Sequence, residues 1–211
     1  MKTLRKALFI LLIANIIRIV PGCCDCDLSS VPFDFNKTDI VNIDNSGEWA
    51  VTTQLDTMLP GAVAFEISLF DSLGYYNQYA SNPERNNFGY SSACALSCDC
   101  SYPMVAGQYL KTIGITTMYD MNEEIDAGDD VTDFFVGKFR GNSSSGSSVY
   151  LNLENICSQT ENKTYFDGGV ESFGIFLKPE VENQEARFIT AFTFSDNRVL
   201  TDTTNLIHIL H

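Results

Sequence analysis

The cysteines are the residues of this chain whose number and spacing carry the most chemical information. The seven are Cys23, Cys24, Cys26, Cys94, Cys98, Cys100 and Cys157. Their spacings do not match the paired cysteines of zinc sites, and an oxidising compartment disfavours free thiolates. An odd number in an exported chain leaves one thiol to be explained apart from disulfides. The sequence therefore predicts disulfides and one cysteine with a different fate.

Cys23 is the cysteine for which a different fate is predicted. The first six residues contain three basic side chains and no acid, and residues 7–14 are apolar, as in a secretory signal peptide. That stretch is shorter than the about 20 residues that span a bilayer. Residues 20–23 resemble a bacterial lipobox, although Pro21 within them and Arg18 just before them depart from its usual residues. We expect cleavage before Cys23 and a lipid on it that inserts into a bilayer; the alternative is ordinary cleavage to a free secreted protein.

Acylation of Cys23 would leave six cysteines for disulfides. These candidates are Cys24, Cys26, Cys94, Cys98, Cys100 and Cys157. Their pairing cannot be deduced from the sequence. We expect the disulfides to fasten the N-terminal segment and a long loop to the domain.

The acidic balance of the chain limits its partners. Asp and Glu number 27 against 13 Lys and Arg, a net charge of −14, and loss of residues 1–22 with their four basic residues lowers it to −18. Such a surface repels nucleic acid and anionic head groups. It favours cations or a partner with a basic face, although acidity also simply keeps an exported domain soluble.

The remaining chemistry is sparse. The two histidines, His208 and His211, lie at the C-terminus, so a catalytic triad or a histidine-rich zinc site would depend on a terminal residue. The sequence has no glycine-rich phosphate loop of standard spacing, and no cofactor is expected. Paired carboxylates, as in a glycan-processing hydrolase, remain the alternative to a binding or structural role.

Two segments are candidates for ligand contact. Asp126, Asp129, Asp130 and Asp133 could offer oxygen ligands to calcium, but Asp129 or Asp130 capping a helical turn over 129–135 is the favoured interpretation. The loop from Gly74 to Met104 carries Tyr75, Tyr76 and Tyr79, which could contact a glycan or an envelope protein. Alternatively, these tyrosines cover the sheet.

The elements that position these residues are predicted to be strands, because apolar and polar residues alternate along short segments bounded by turn residues. The strands are expected over 39–43, 48–55, 62–70, 110–119, 149–153, 171–177, 186–194, 198–200 and 206–210. Strands 171–177 and 186–194 are expected to form a hairpin through 179–184. The predicted fold is an all-β domain, an antiparallel β-sandwich or barrel, with one short helical turn and a long cysteine-rich loop. It comprises a signal peptide (1–22), a lipidated N-terminus and tether (23–38) and a single β domain (39–211).

Several segments resemble a family of Bacteroidota lipoproteins with a domain of unknown function. They are the cysteine-rich start that follows residues 20–22, 98–103, 113–120 continuing through 127–135, and 192–201. The resemblance implies a location in the cell envelope, on the periplasmic or surface face of the outer membrane, and implies no activity. It also implies possible O-glycosylation at Asp-Ser/Thr triplets, here at Thr57, Ser72 and Thr203.

Overall fold

The computed structural model describes residues 30–48, 50–72, 103–139 and 149–211, and within them the chain is built mainly of strands. In chain order the strands are β1 (Val31–Phe33), β2 (Lys37–Asp44), β3 (Val51–Thr52), β4 (Thr57–Met58), β5 (Val63–Phe70), β6 (Met104–Ala106), β7 (Leu110–Thr117), β8 (Phe135–Phe139), β9 (Val170–Leu177), β10 (Glu185–Ala186), β11 (Phe188–Phe194), β12 (Val199–Thr203) and β13 (Ile207–Ile209). A 3-10 helix (Thr132–Phe134), helix α1 (Leu153–Glu161) and a 3-10 turn (Asp167–Gly169) accompany them.

Two antiparallel sheets form a sandwich. One has the order β3-β2-β5-β9-β8 and the other β12-β11-β7. Alternate residues of β5 and β9 point between the sheets, and the Phe188 ring of β11 meets Phe65 and Phe135 at centroid distances of 5.8 and 5.3 Å. The all-β prediction is confirmed in its sandwich form, since the described strands do not close into a barrel.

Helix α1 closes one side of the sandwich by packing on β7 and β8. Its buried face repeats at helical spacing through Leu153, Ile156, Cys157 and Thr160. The Asn152 side chain caps it by accepting from the Asn155 N–H at 2.9 Å. The strand predicted over 149–153 is therefore wrong: only Leu151 bridges to Gly137, and the chain then turns into the helix.

The hairpin predicted between 171–177 and 186–194 is also wrong. β9 lies between β5 and β8, whereas β11 lies between β12 and β7 in the facing sheet. The connection crosses from one sheet to the other, with Val181 fully buried and its N–H bonded to Pro60 O at 3.2 Å. Of the strand predicted over 48–55, only β3 is present in the described residues.

Two smaller sheets lie at opposite ends of the sandwich. At the β1–β6 end, β1 pairs in parallel with β6, with Val31 opposite Met104. Part of the predicted tether 23–38 belongs to the domain instead, because Phe33 and Phe35 are buried in the core, while residues 23–29 lie outside the described residues. At the β4–β13 end, β13 pairs antiparallel with β10 and parallel with β4. None of the helices in the described ranges is long and apolar enough to cross a membrane.

Candidate functional site

A groove of about 220 Å³ opens on the surface between α1, β7 and the 3-10 helix. Its floor is formed by the buried side chains of Ile113, Phe135 and Cys157. The 3-10 helix is held beside β7 because the Ile115 N–H donates to Thr132 Oγ1 at 2.8 Å. The walls of the groove are therefore formed by three elements of secondary structure: α1, β7 and the 3-10 helix.

The rim of the groove carries charges of both signs. Lys111 and Lys178 line it together with Asp133 and Glu154, and all four are exposed. The Lys178 ammonium donates to the backbone oxygen of Asp133. These opposite charges suit a polar, uncharged ligand better than a strongly charged one.

The thiol of Cys157 is free and lies at the floor of the groove. Burial raises its pKa to about 11, so that the neutral thiol predominates at physiological pH. Because the thiolate is the nucleophile, this cysteine is a poor one. The structure thus places a free thiol where the sequence predicted half of a disulfide.

Glu171 is a buried carboxyl that sequence reasoning missed. It is 3% exposed on the inner face of β9, and it forms an ion pair with Lys163. Burial raises its pKa, and the hydrogen bond and charge of Lys163 oppose that rise. The Lys163 ammonium also lies 4.8 Å from the centroid of the Phe166 ring. The alternation of Glu171 with Phe173 and Ile175 was the signal that could have placed it inside.

The aspartates considered for calcium are used in local turns. Asp130 accepts from both Oγ1 and N–H of Thr132, at 2.5 and 2.9 Å, and these bonds lower its pKa. It therefore acts at the start of the 3-10 helix, although Val131 is the residue at the N-cap itself. Asp129 accepts from the Asp126 N–H at 3.0 Å, and Asp133 is exposed. The described residues contain no group of three or more acidic, histidine or cysteine side chains arranged to hold a metal ion.

The other predicted site residues are only partly within the described ranges. Thr57 and Ser72 are exposed, and Thr203 is half-buried on β12. The remainder lie outside the described residues: Cys23, Cys24, Cys26, Cys94, Cys98, Cys100, Tyr75, Tyr76 and Tyr79. The predictions for that second group stay predictions.

The fold and groove define a β-sandwich domain with a helix-lined polar groove on one side. No model of a known protein family matches the chain, and no curated protein is significantly similar to it.

Proposed function

We propose that this chain is an exported cell-envelope protein, held at the membrane by a lipid on Cys23, which acts by binding or as a structural component. The resemblance to Bacteroidota lipoproteins and the signal-peptide pattern of residues 1–22 support export. The single structural observation that bears on this proposal is the parallel pairing of β1 with β6, which ties Val31, eight residues after Cys23, into the domain that the lipid would hold. The N-terminal segment and the cysteine-rich loop both join the domain at that pair.

The register of β1 and β6 also supports disulfides between the two cysteine clusters. Val31 lies opposite Met104, and its N–H bonds to Pro103 O at 3.0 Å. The same tripeptide, Cys-Asp-Cys, stands at 24–26 before one strand and at 98–100 before the other. Because parallel strands run in the same direction, the chain enters β1 at Val31 and β6 at Met104 from the same side of the pair. We therefore propose that at least one disulfide joins these tripeptides, its two electrons passing to an oxidised dithiol in the compartment.

A test of the anchor uses the full chain with its signal segment. Cys23→Ala is expected to move the protein from the detergent-extracted membrane fraction to the soluble fraction, whereas Cys157→Ala is expected to leave it at the membrane. Mass spectrometry of the native protein gives the direct check, and an unacylated N-terminus would reject the anchor.

The disulfides have their own test, sharpened by the free thiol of Cys157. If Cys23 is acylated, five cysteines besides Cys157 remain for pairing, and one of them stays unpaired. Alkylation of the denatured, unreduced protein is then expected to label Cys157 and that one further cysteine. Labelling of Cys157 alone would show six paired cysteines and a Cys23 that is not acylated. A peptide joining the 24–26 and 98–100 tripeptides in a non-reducing digest is the expected product.

Binding is favoured over catalysis by the groove itself. Its thiol is protonated, and Glu171, the described carboxyl whose pKa is raised, does not line it. A glycan or an envelope protein is the proposed ligand class, and Tyr75, Tyr76 and Tyr79 of the loop are proposed contacts. Changing the three tyrosines to Ala is expected to weaken binding with the fold intact; unfolding would instead identify them as core residues.

A carboxylate-dependent hydrolase remains a second proposal, since Asp133 and Glu154 line the same groove. Two carboxyls about 5–10 Å apart can act as acid and base on a glycosidic bond. Hydrolysis of an envelope glycan that is lost in both Asp133→Asn and Glu154→Gln would establish it in place of the binding role.

A further inference from the structure

The groove between α1, β7 and the 3-10 helix combines an apolar floor with a polar rim. Ile113, Phe135 and Leu153 line it while being only 6%, 2% and 5% exposed, so they form its bottom. Its volume of about 220 Å³ is below the range of about 300–1,000 Å³ that holds a drug-sized ligand. The groove therefore admits one small unit of a ligand.

The hydrogen-bonding groups on the rim are unused by the protein itself. Within the described ranges, the Lys111 ammonium and the carboxylates of Asp133 and Glu154 take part in no hydrogen bond or ion pair. Asn152 accepts the Asn155 N–H through its side-chain oxygen, which leaves its amide N–H groups free to donate. The rim thus offers donors and acceptors together.

Charges of opposite sign are mixed around the rim. The Lys178 ammonium donates to the backbone oxygen of Asp133, and the Lys178 N–H bonds to Phe134 O at 2.9 Å, so Lys178 and Asp133 share one wall. Glu154 stands on the α1 wall, where its charge adds to the rise in the pKa of the Cys157 thiol on the floor. Positive and negative groups are therefore not gathered on opposite sides.

This mixture discriminates among the small units that would fit. A simple ion would meet a group of its own charge, and a zwitterion needs its two charges matched on separate sides. An apolar side chain would cover the floor but leave the rim groups without partners, which costs free energy. A sugar ring has an apolar C–H face, and each of its hydroxyls both donates and accepts. The acidic net charge of −14 disfavours a sugar that carries a carboxylate or a sulfate.

We propose that the groove binds one neutral pyranose unit of a glycan. The C–H face of the ring lies on Ile113 and Leu153, and its hydroxyls bond to Lys111, Asp133 and Glu154. Hydrogen bonds to charged groups are stronger than those between neutral groups, so these three side chains supply the selectivity. The inference rests on the proposed binding role and narrows it to a class of sugar and to a site on the domain itself, separate from the tyrosine loop.

The experiment titrates the full chain with the methyl glycosides of glucose, galactose, mannose and N-acetylglucosamine, followed by NMR. A dissociation constant on the order of 1 mM is expected for at least one of these ligands of about a dozen heavy atoms. Asp133→Asn with Glu154→Gln should weaken binding about tenfold, and Thr112→Trp should abolish it by filling the groove from its exposed rim. Glu161→Gln and Thr201→Trp are the matched controls, at exposed positions away from the groove, and should bind as the parent does.

Acidic sugars provide the second comparison. The methyl glycosides of glucuronic and galacturonic acid should bind at least tenfold more weakly than their neutral counterparts. Tighter binding of the acidic sugars would overturn the inference and identify an anion site at Lys111 and Lys178. Failure of every neutral glycoside to bind in the millimolar range would overturn it as well.

The remaining outcomes separate this site from the proposed function. Neutral glycosides that bind both groove variants as tightly as the parent would place the sugar elsewhere, which overturns the inference and leaves the binding role standing. The variant with Tyr75, Tyr76 and Tyr79 changed to Ala should keep its affinity for the glycosides. A loss of binding in that variant, with an unaltered melting temperature, would transfer the sugar to the loop. The anchor is decided independently by the fractionation of Cys23→Ala.

Discussion

The ion pair of Lys163 and Glu171 illustrates what single residues reveal in this chain. The alternation along β9 puts Glu171 on the inner face, which the sequence permits one to predict. Its partner could not be predicted, because Lys163 reaches it from the segment after α1 and that packing is fixed by the whole fold. A buried carboxylate costs free energy that a partner must offset.

Removing Lys163 tests how far this residue offsets the free-energy cost of burying the Glu171 carboxylate. Lys163→Met is expected to lower the free energy of unfolding at neutral pH by about 2 kcal/mol, less than for a fully buried pair because Lys163 is part-exposed. Burial raises the folded-state pKa of Glu171, so its contribution to stability is present at low pH and is lost as the pH rises through that pKa. The deficit of the variant should therefore shrink as the pH is lowered.

Chemical denaturation across pH provides the measurement. Lys163→Met combined with Glu171→Gln is the control, because it removes the buried charge as well and should recover much of the stability. A deficit that is the same at every pH would show that Lys163 acts by packing on Phe166 instead.

The free thiol of Cys157 changes the number of cysteines that remain for disulfides. An odd total argued for a lipid on Cys23 on the assumption that the other six pair with one another. A free Cys157 leaves five besides Cys23, so parity no longer favours acylation and the lipobox-like residues 20–23 carry that proposal. Its location in α1, facing the core, depends on a helix that the sequence analysis missed.

At the scale of elements, the long alternating strands were predictable and their partners were not. β5, β7, β9 and β11 fall close to their predicted ranges because each carries its own pattern of inward apolar residues. α1 was not predicted: residues 149–153 alternate and were expected to form a strand, and residues 154–161 were assigned to no element, although Asn152 was present as a capping signal. The assignment of β9 and β11 to different sheets rests on contacts distant in sequence, such as Val181 with Pro60.

The contact of α1 with β8 is open to a direct test. A Cβ on Gly137 would stand 2.6 Å from Ile156 Cγ1, whereas a Cβ on Gly114 of β7 would meet nothing within 4 Å. Gly137→Ala is therefore expected to cost about 1–3 kcal/mol of stability through overpacking. Gly114→Ala should be close to neutral. Equal effects of the two substitutions in thermal unfolding would mean that α1 does not press on β8 in solution.

At the scale of the whole molecule, the distribution of charge is uneven. Seven acids without a basic residue lie between Lys111 and Lys138, at the end away from β1–β6. Net charge of this size destabilises the folded state through self-repulsion. The excess of acidic residues could be predicted from the sequence, but their location at one end of the molecule could be seen only in the folded structure.

Salt should relieve that repulsion. Raising sodium chloride from 10 to 150 mM, values chosen to shorten the screening length to about 8 Å, is expected to add about 1 kcal/mol of stability and raise Tm by roughly 2–4 °C. Calcium chloride at matched ionic strength should do no more than sodium chloride. A larger rise with calcium that Asp130→Ala abolishes would reveal a calcium site and contradict the helix-start role of that residue.

The parallel pairing of β1 with β6 has a mechanical consequence. A pull on the chain ahead of Val31 runs along β1, and the load passes sideways into the ladder through the bonds from Val31 N–H to Pro103 O and from Gly107 N–H to Phe33 O. Loaded in this direction, the bonds share the tension and must yield together rather than open one after another. Phe33 and Phe35 would also have to leave the core before the strand could detach. The end of the domain that the proposed lipid on Cys23 would load is thus the end that resists extraction.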